Sequence, residues 1–298
     1  MAMPSICVII TQKEDTMSVA IVGSSGGMKG IFVQGVLNAL ETNGLRADAY
    51  AGASASALPA ISAAAGLCNF VQYHYWQRVQ LLLQQHGQDL SHVMHTVTHE
   101  WNSAAEPFKQ ELFKPGRPCL FIPANFVKST AAELTQSEKS RRLGRQLLID
   151  IGRKDHTWVD EHLELHLFDT HSDQHPLTPD NLSDVAYAST RMIQWALPAW
   201  IEGQPYVDAS YTCAFPIAEM IASGYTEVIG ISTEVGPAYR DIFANEVIPE
   251  ALNGISIQLI RPEYELKEIG VDFTSCTADG LIAAFQHGEA QGRAFLQS

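Results

Sequence analysis

Two short apolar runs, each ending in a tight turn of small residues and then a helical pattern, constrain this chain more than any other feature. Val19-Ala-Ile-Val22 meets Gly23-Ser-Ser-Gly-Gly27. Ile31, Val36, Leu37 and Leu40 then recur at helical spacing, and Asn43-Gly44 closes the helix. The segment 47–51 runs in the same way into Gly52-Ala-Ser-Ala-Ser56 and an alanine-rich helix that ends near Gly66. A strand that turns directly into a helix, twice in succession, carries the chain back to start a parallel neighbour. The pattern predicts an α/β fold with a mainly parallel central sheet and helices on its faces.

Farther along, helical patterns over 70–85, 90–105 and 131–151 flank a proline-bearing aromatic stretch at 107–126. Residues 68–152 therefore read as a mainly helical insertion over the sheet. Strand patterns resume at 162–168, 204–207, 227–232 and 255–260, with helices at 217–223 and 278–296. The polar run Thr11-Gln-Lys-Glu-Asp-Thr16 marks residues 1–16 as an extension, and 17–298 as one domain. A chain of 298 residues is long enough for a large single core.

Charge narrows the partners. A formal net charge of −14 leaves no cationic surface to release counterions from nucleic acid. It also repels anionic membranes, so a transient lipid contact is expected through apolar surface. The five cysteines are scattered and form no C-x-x-C pair, which fits a reducing compartment. No basic residue precedes the N-terminal apolar run, so the expectation is a cytoplasmic protein without a secretory signal. Oligomeric state is left open.

Three segments carry chemistry. A serine at a sharp strand-to-helix turn holds its hydroxyl clear of the sheet, and Gly52-Ala-Ser54-Ala-Ser56 has the small residues that turn demands. Taken alone, Ser54 reads equally well as an N-cap of the alanine-rich helix. Ser25-Gly26-Gly27-Met28-Lys29-Gly30 opens a helix with backbone N–H groups suited to an anion. A nucleotide phosphate is the weaker candidate there. No Gly-Lys-Ser/Thr follows, the G-x-G-x-x-G spacing breaks at Ser25, and Asp48 lies at the start of the next strand instead of its end. An oxyanion is the stronger one. Asp208, ending a strand ahead of Ala209-Ser210, can present a carboxylate to a neighbouring strand end or cap a turn. His92, His95 and His99 share a helical face, but no H-E-x-x-H exists and eleven histidines are spread along the chain. A solvated face is expected, with no metal and no cofactor.

The order of glycine-rich loop, serine elbow and late aspartate resembles the patatin-like phospholipase family, whose motifs are D-G-G-G-x-R/K-G, G-x-S-x-G and D-G-G/A. Further matches are Ala188-Ser-Thr190, Leu197-Pro198, Gly203-Gln-Pro-Tyr-Val-Asp208, Phe215-Pro-Ile217, Gly224-Tyr-Thr-Glu-Val-Ile229, Asp272-Phe-Thr274 and Gly288, spread over 17–296. The resemblance implies a three-layer α/β/α patatin-like fold and a Ser–Asp dyad without histidine. Ser54 takes the nucleophile position and Asp208 the base position. Gly26, Gly27 and the Met28 backbone take the oxyanion positions. Lys29 takes the loop's basic position, with Gly30, Gly52 and Ser56 in support. Ser25, Ser56 and Ala209-Ser210 stand where the family pattern has glycines or alanine.

The activity implied is hydrolysis of carboxylic esters of lipids, of the phospholipase A, lysophospholipase or esterase type, through an acyl-enzyme. Two alternatives remain. One is an acyltransferase or thioesterase on the same dyad. The other is a binding module that keeps the fold without turnover. Trp76, Trp101, Phe108, Phe113, Phe121 and Phe126 read mostly as core, with a minority available for an acyl groove.

Overall fold

The computed structural model describes residues 17–87, 89–103, 106–136, 139–193 and 199–298, and no side chains at 101–103 and 106–107. The extension expected at 1–16, Leu197-Pro198 and the Trp101 side chain lie outside what is described. Strand β1 (Val19–Gly23) passes through a 3-10 turn, Gly27–Lys29, into α1 (Gly30–Thr42). Strand β2 (Ala49–Gly52) passes through a second, Ser54–Ser56, into α2 (Ala57–Ala64). Helices α3 (Cys68–Val71), α4 (His74–Gln85), α5 (Leu90–Ser103) and α6 (Glu106–Leu112) follow, then β3 (Cys119–Val127). Next come α7 (Ser129–Gln136), α8 (Ser140–Arg153), α9 (Thr157–His162), β4 (Leu163–Asp169) and α10 (Leu182–Thr190). The remainder is β5 (Ala199–Ile201), β6 (Gln204–Val207), α11 (Ile217–Ala222), β7 (Glu227–Ile231), β8 (Ala251–Leu252), β9 (Ile255–Ile260) and α12 (Ala278–Phe295).

The strands form one sheet in the order β5-β6-β3-β2-β1-β7-β9-β8, with β4 also paired to β3. The run β3-β2-β1-β7-β9 is parallel throughout, as successive crossover helices require. Its side chains alternate between two cores, so both faces are covered. Ile21, Tyr50, Leu120 and Ile229 pack with apolar residues of α1, α2, α4, α5 and α12. Ala20, Val22, Ala49, Ala51, Phe121 and Val228 face the other way, against Ile217, Met220 and Ile221 of α11. The result is the α/β/α arrangement. Among the described residues no helix is long and apolar enough to cross a membrane.

Residues 68–152 differ from the expected insertion in one respect. The helices are there, but β3 runs between them as a nine-residue strand of the central sheet. Pro123 makes this stretch look like a loop, because proline removes a ladder donor. On the edge that β3 shares with β2 and β6, however, pairing stops at Phe121 and resumes at Asn125. Pro123 falls in that interval, where its missing N–H removes no bond. A second difference is the break between α3 and α4, where Gln72 takes a positive φ of 44°.

Candidate active site

Strand β3 brings the two ends of the site together. It pairs with β4 along 121–127 on one edge, so β2 and β6 must share the other. Strand β2 runs parallel to it as far as Ala51↔Phe121, while β6 arrives antiparallel, with Val207 opposite Asn125. The chain leaving β2 and the chain leaving β6 therefore converge on the same interval. Ser54 Oγ donates to Asp208 Oδ2 at 2.8 Å across that meeting point.

Each partner is held locally. Ser54 has a φ of 52°, a left-handed conformation that non-glycine residues adopt at a cost of about 1–3 kcal/mol. Its N–H donates to Ser189 Oγ of α10 at 3.0 Å. The turn is possible because of Gly52, where a methyl group would lie 2.1 Å from the Ser56 carbonyl oxygen. Asp208 Oδ1 accepts the Ser210 N–H at 2.7 Å, and the Asp208 N–H donates to the Arg191 carbonyl. Asn125 of β3 donates to the Asp208 carbonyl at 2.7 Å and accepts from Thr212. Ser54 is 4% exposed and Asp208 not at all. Burial raises the Asp208 carboxyl from 3.8 to about 6, opposed by hydrogen bonds from Ser210 and Ser54. That position suits a general base near neutral pH far better than a free aspartate would.

The glycine turn lies beside the pair. Gly27 and Met28 line the same small cavity as Ser54, Ala55 and Asp208. Among the described residues no acceptor meets the N–H of Gly26, of Gly27 or of Ala55, the residue after the serine. Met28 is different: its N–H donates to the Phe273 carbonyl at 2.9 Å. The expectation of three amides turned to the site is corrected on this point, because Met28 secures the turn to the loop at 271–276 and contributes its side chain to the cavity. Lys29 is also committed, its Nζ 2.8 Å from both carboxylate oxygens of Glu234. Gly30 starts α1.

Ser56, at the elbow's second glycine position, has a structural use. Its buried hydroxyl donates to the Ser24 carbonyl at 2.5 Å, tying the elbow to the glycine turn. Gly23 makes room for it, since a methyl group there would lie 2.7 Å from Ser56 Cβ. Ser56→Ala removes the donor and leaves a buried carbonyl unpaired. The expected loss is about 1–3 kcal/mol of stability, measured by urea denaturation.

Of the sequence-derived aromatics, Trp76 lines the cavity. Phe108 and Phe121 are buried in the core, while Phe113 and Phe126 pack partly buried against it. The three histidines of α5 are not all in solvent. His95 and His99 stack on each other, and His99 meets Asp184 of α10 at 3.1 Å. No group of three metal-ligating side chains converges among the described residues. Sequence reasoning missed Asn125, Ser189 and Phe273 as neighbours of the site. Asn125 had a signal, a lone amide inside the apolar run Cys119–Val127. Phe273 acts through its backbone and had none.

A family model described as patatin-like phospholipase matches residues 21–221, a span containing Ser54, Asp208 and the glycine turn. Among solved structures, VipD from Legionella pneumophila aligns at 10% identity with a TM-score of 0.49, over 94% of this chain and 67% of that one. Human GIVD cytosolic phospholipase A2 aligns at 10% identity with a TM-score of 0.48, over 94% of this chain and 58% of that one. No curated protein sequence matches.

Proposed function

Since the chain belongs to the patatin-like phospholipase family, we propose that it is a serine hydrolase of lipid carboxylic esters working through a Ser54–Asp208 dyad. The observation that carries this reading is the 2.8 Å hydrogen bond from Ser54 Oγ to a buried carboxylate, beside amides that have no acceptor. Ser54 attacks the ester carbonyl while its proton passes to Asp208 Oδ2. The carbonyl oxygen gains negative charge and is held by the N–H groups of Gly26, Gly27 and Ala55. Collapse of the intermediate expels the alcohol with that proton and leaves an acyl group on Ser54. Water then attacks, Asp208 takes its proton, and the acid departs as Ser54 is restored.

Supporting roles follow from the contacts. Asn125 and Ser210 orient Asp208, and Ser189 holds the strained turn at Ser54. We place one catalytic domain over 17–298. Four free cysteines, Cys68, Cys119, Cys213 and Cys276, favour a reducing, cytoplasmic setting.

The test is covalent labelling. A fluorophosphonate probe is expected to modify the purified protein at Ser54 alone, located by peptide mass spectrometry, and Ser54→Ala is expected to abolish both labelling and ester turnover. Turnover that survives Ser54→Ala would overturn the dyad.

A further inference from the structure

Two cavities of very different size flank the glycine turn. The one that contains Ser54 has a volume of about 30 Å³, room for roughly two water-sized groups. Its walls are apolar: Trp76, Leu90, Met94 and Met192 face Ser54 across it. The other, about 290 Å³, is lined by Ser24, Gly26, Thr233, Glu234 and Asp241 and does not include Ser54. They meet at Phe273, which lines both, with Gly27 on the first side and Gly26 on the second. Small-molecule sites commonly occupy about 300–1,000 Å³, so only the second cavity is of ligand size.

Which half of an ester goes where follows from the chemistry just proposed, on which this inference rests. The acyl group becomes covalently attached to Ser54 Oγ and must sit in the cavity that Ser54 lines. The alcohol leaves and needs no contact with Ser54. We infer that the substrate is an ester of a short acyl group, roughly two to four carbons, on a bulky alcohol, with the lipid-sized half on the leaving side in the 290 Å³ cavity. Trp76 is the residue that sets the limit. It is 1% exposed, and its six-membered ring abuts Gly30, where a methyl group would lie 2.7 Å from Trp76 Cη2. The indole is wedged against the start of α1 and cannot swing aside in that direction. Longer chains would have to displace it, and close-packed walls resist added methylenes.

Two substrate series test this. Along p-nitrophenyl esters from two to sixteen carbons the leaving group is constant. kcat/KM is expected to peak at two to four carbons and to fall at least tenfold by eight. Trp76→Ala moves the peak to longer chains, and Met94→Ala does so independently should the tryptophan variant fold poorly. The pair 2-naphthylmethyl acetate and ethyl 2-naphthylacetate exchanges the bulky ring between the two halves of the ester, and the acetate is expected to react at least tenfold faster. A profile that is flat or rises toward sixteen carbons overturns the inference, as does a peak that stays in place in both variants, or preference for the naphthylacetate. Those results leave the dyad standing if Ser54 is labelled. No turnover of any ester together with an unlabelled Ser54 overturns the dyad, and the inference with it.

Discussion

Asp208→Asn is expected to lower kcat by about 10²–10⁴-fold, the usual contribution of a positioned general base, while making the fold more stable at neutral pH. The two effects have one cause. Asp208 is fully buried, and burial raises its carboxyl from 3.8 to about 6. In the unfolded chain the proton leaves near 3.8; in the folded chain it stays to about 6. Between those values folding takes up a proton, so stability falls as pH rises through the window. Above about 6 the full cost is present, roughly 3 kcal/mol at 1.36 kcal/mol per pH unit. Asparagine keeps the shape and can still accept the Ser210 N–H, but it carries no charge and cannot take the serine proton.

Urea denaturation should therefore find the variant more stable than wild type at pH 7, by up to about 3 kcal/mol, with the difference vanishing near pH 4. Wild-type kcat/KM should fall as pH drops through about 6, because the base fills with its own proton. A variant that loses activity and stability together would point to a structural carboxylate.

How much of this was legible without coordinates varied by element. Strands β1 and β2 announce themselves, since each apolar run stops at a small-residue turn that only a strand-to-helix reversal needs. Strands β6 and β9 occupy the ranges 204–207 and 255–260 read from alternation. Strand β3 did not announce itself, because Pro123 and Asn125 are loop residues by type. Their meaning depends on the unpaired interval between β2 and β6, which no local pattern encodes. The same holds for the site. Ser54 and Asp208 are 154 residues apart, and only the order of the three motifs hinted that they meet. Ser189, Asn125 and Phe273 act through contacts between distant segments, and Phe273 through a carbonyl that every residue possesses. Ser56 shows the converse: a departure from the elbow pattern that looked like a loss, matched by Gly23 and by a hydrogen bond to Ser24.

Gly27→Ala is the sharpest probe of the glycine turn. Gly27 has a φ of +57°, and a methyl group there would lie 2.0 Å from the Phe273 carbonyl oxygen and 2.8 Å from its carbon. That carbonyl is backbone, fixed by the Met28 N–H at 2.9 Å, so it cannot rotate away as a side chain would. The turn itself must move, and the unpaired amides of Gly26 and Gly27 move with it. Loss of one oxyanion donor typically lowers kcat by about 10²–10³-fold, and a shift of two together should reach at least that range. The rate of fluorophosphonate labelling should fall in parallel, because the probe's developing charge uses the same amides. Gly44→Ala separates this from backbone strain. Gly44 also has a positive φ, +83°, but a methyl group there meets nothing within 4 Å. It follows Asn43 at the end of α1, far along the helix from the turn. Alanine there should cost about 1–2 kcal/mol of stability from the left-handed conformation and leave kcat unchanged. Equal losses of kcat in both variants would mean that the glycine turn serves the fold and not the chemistry.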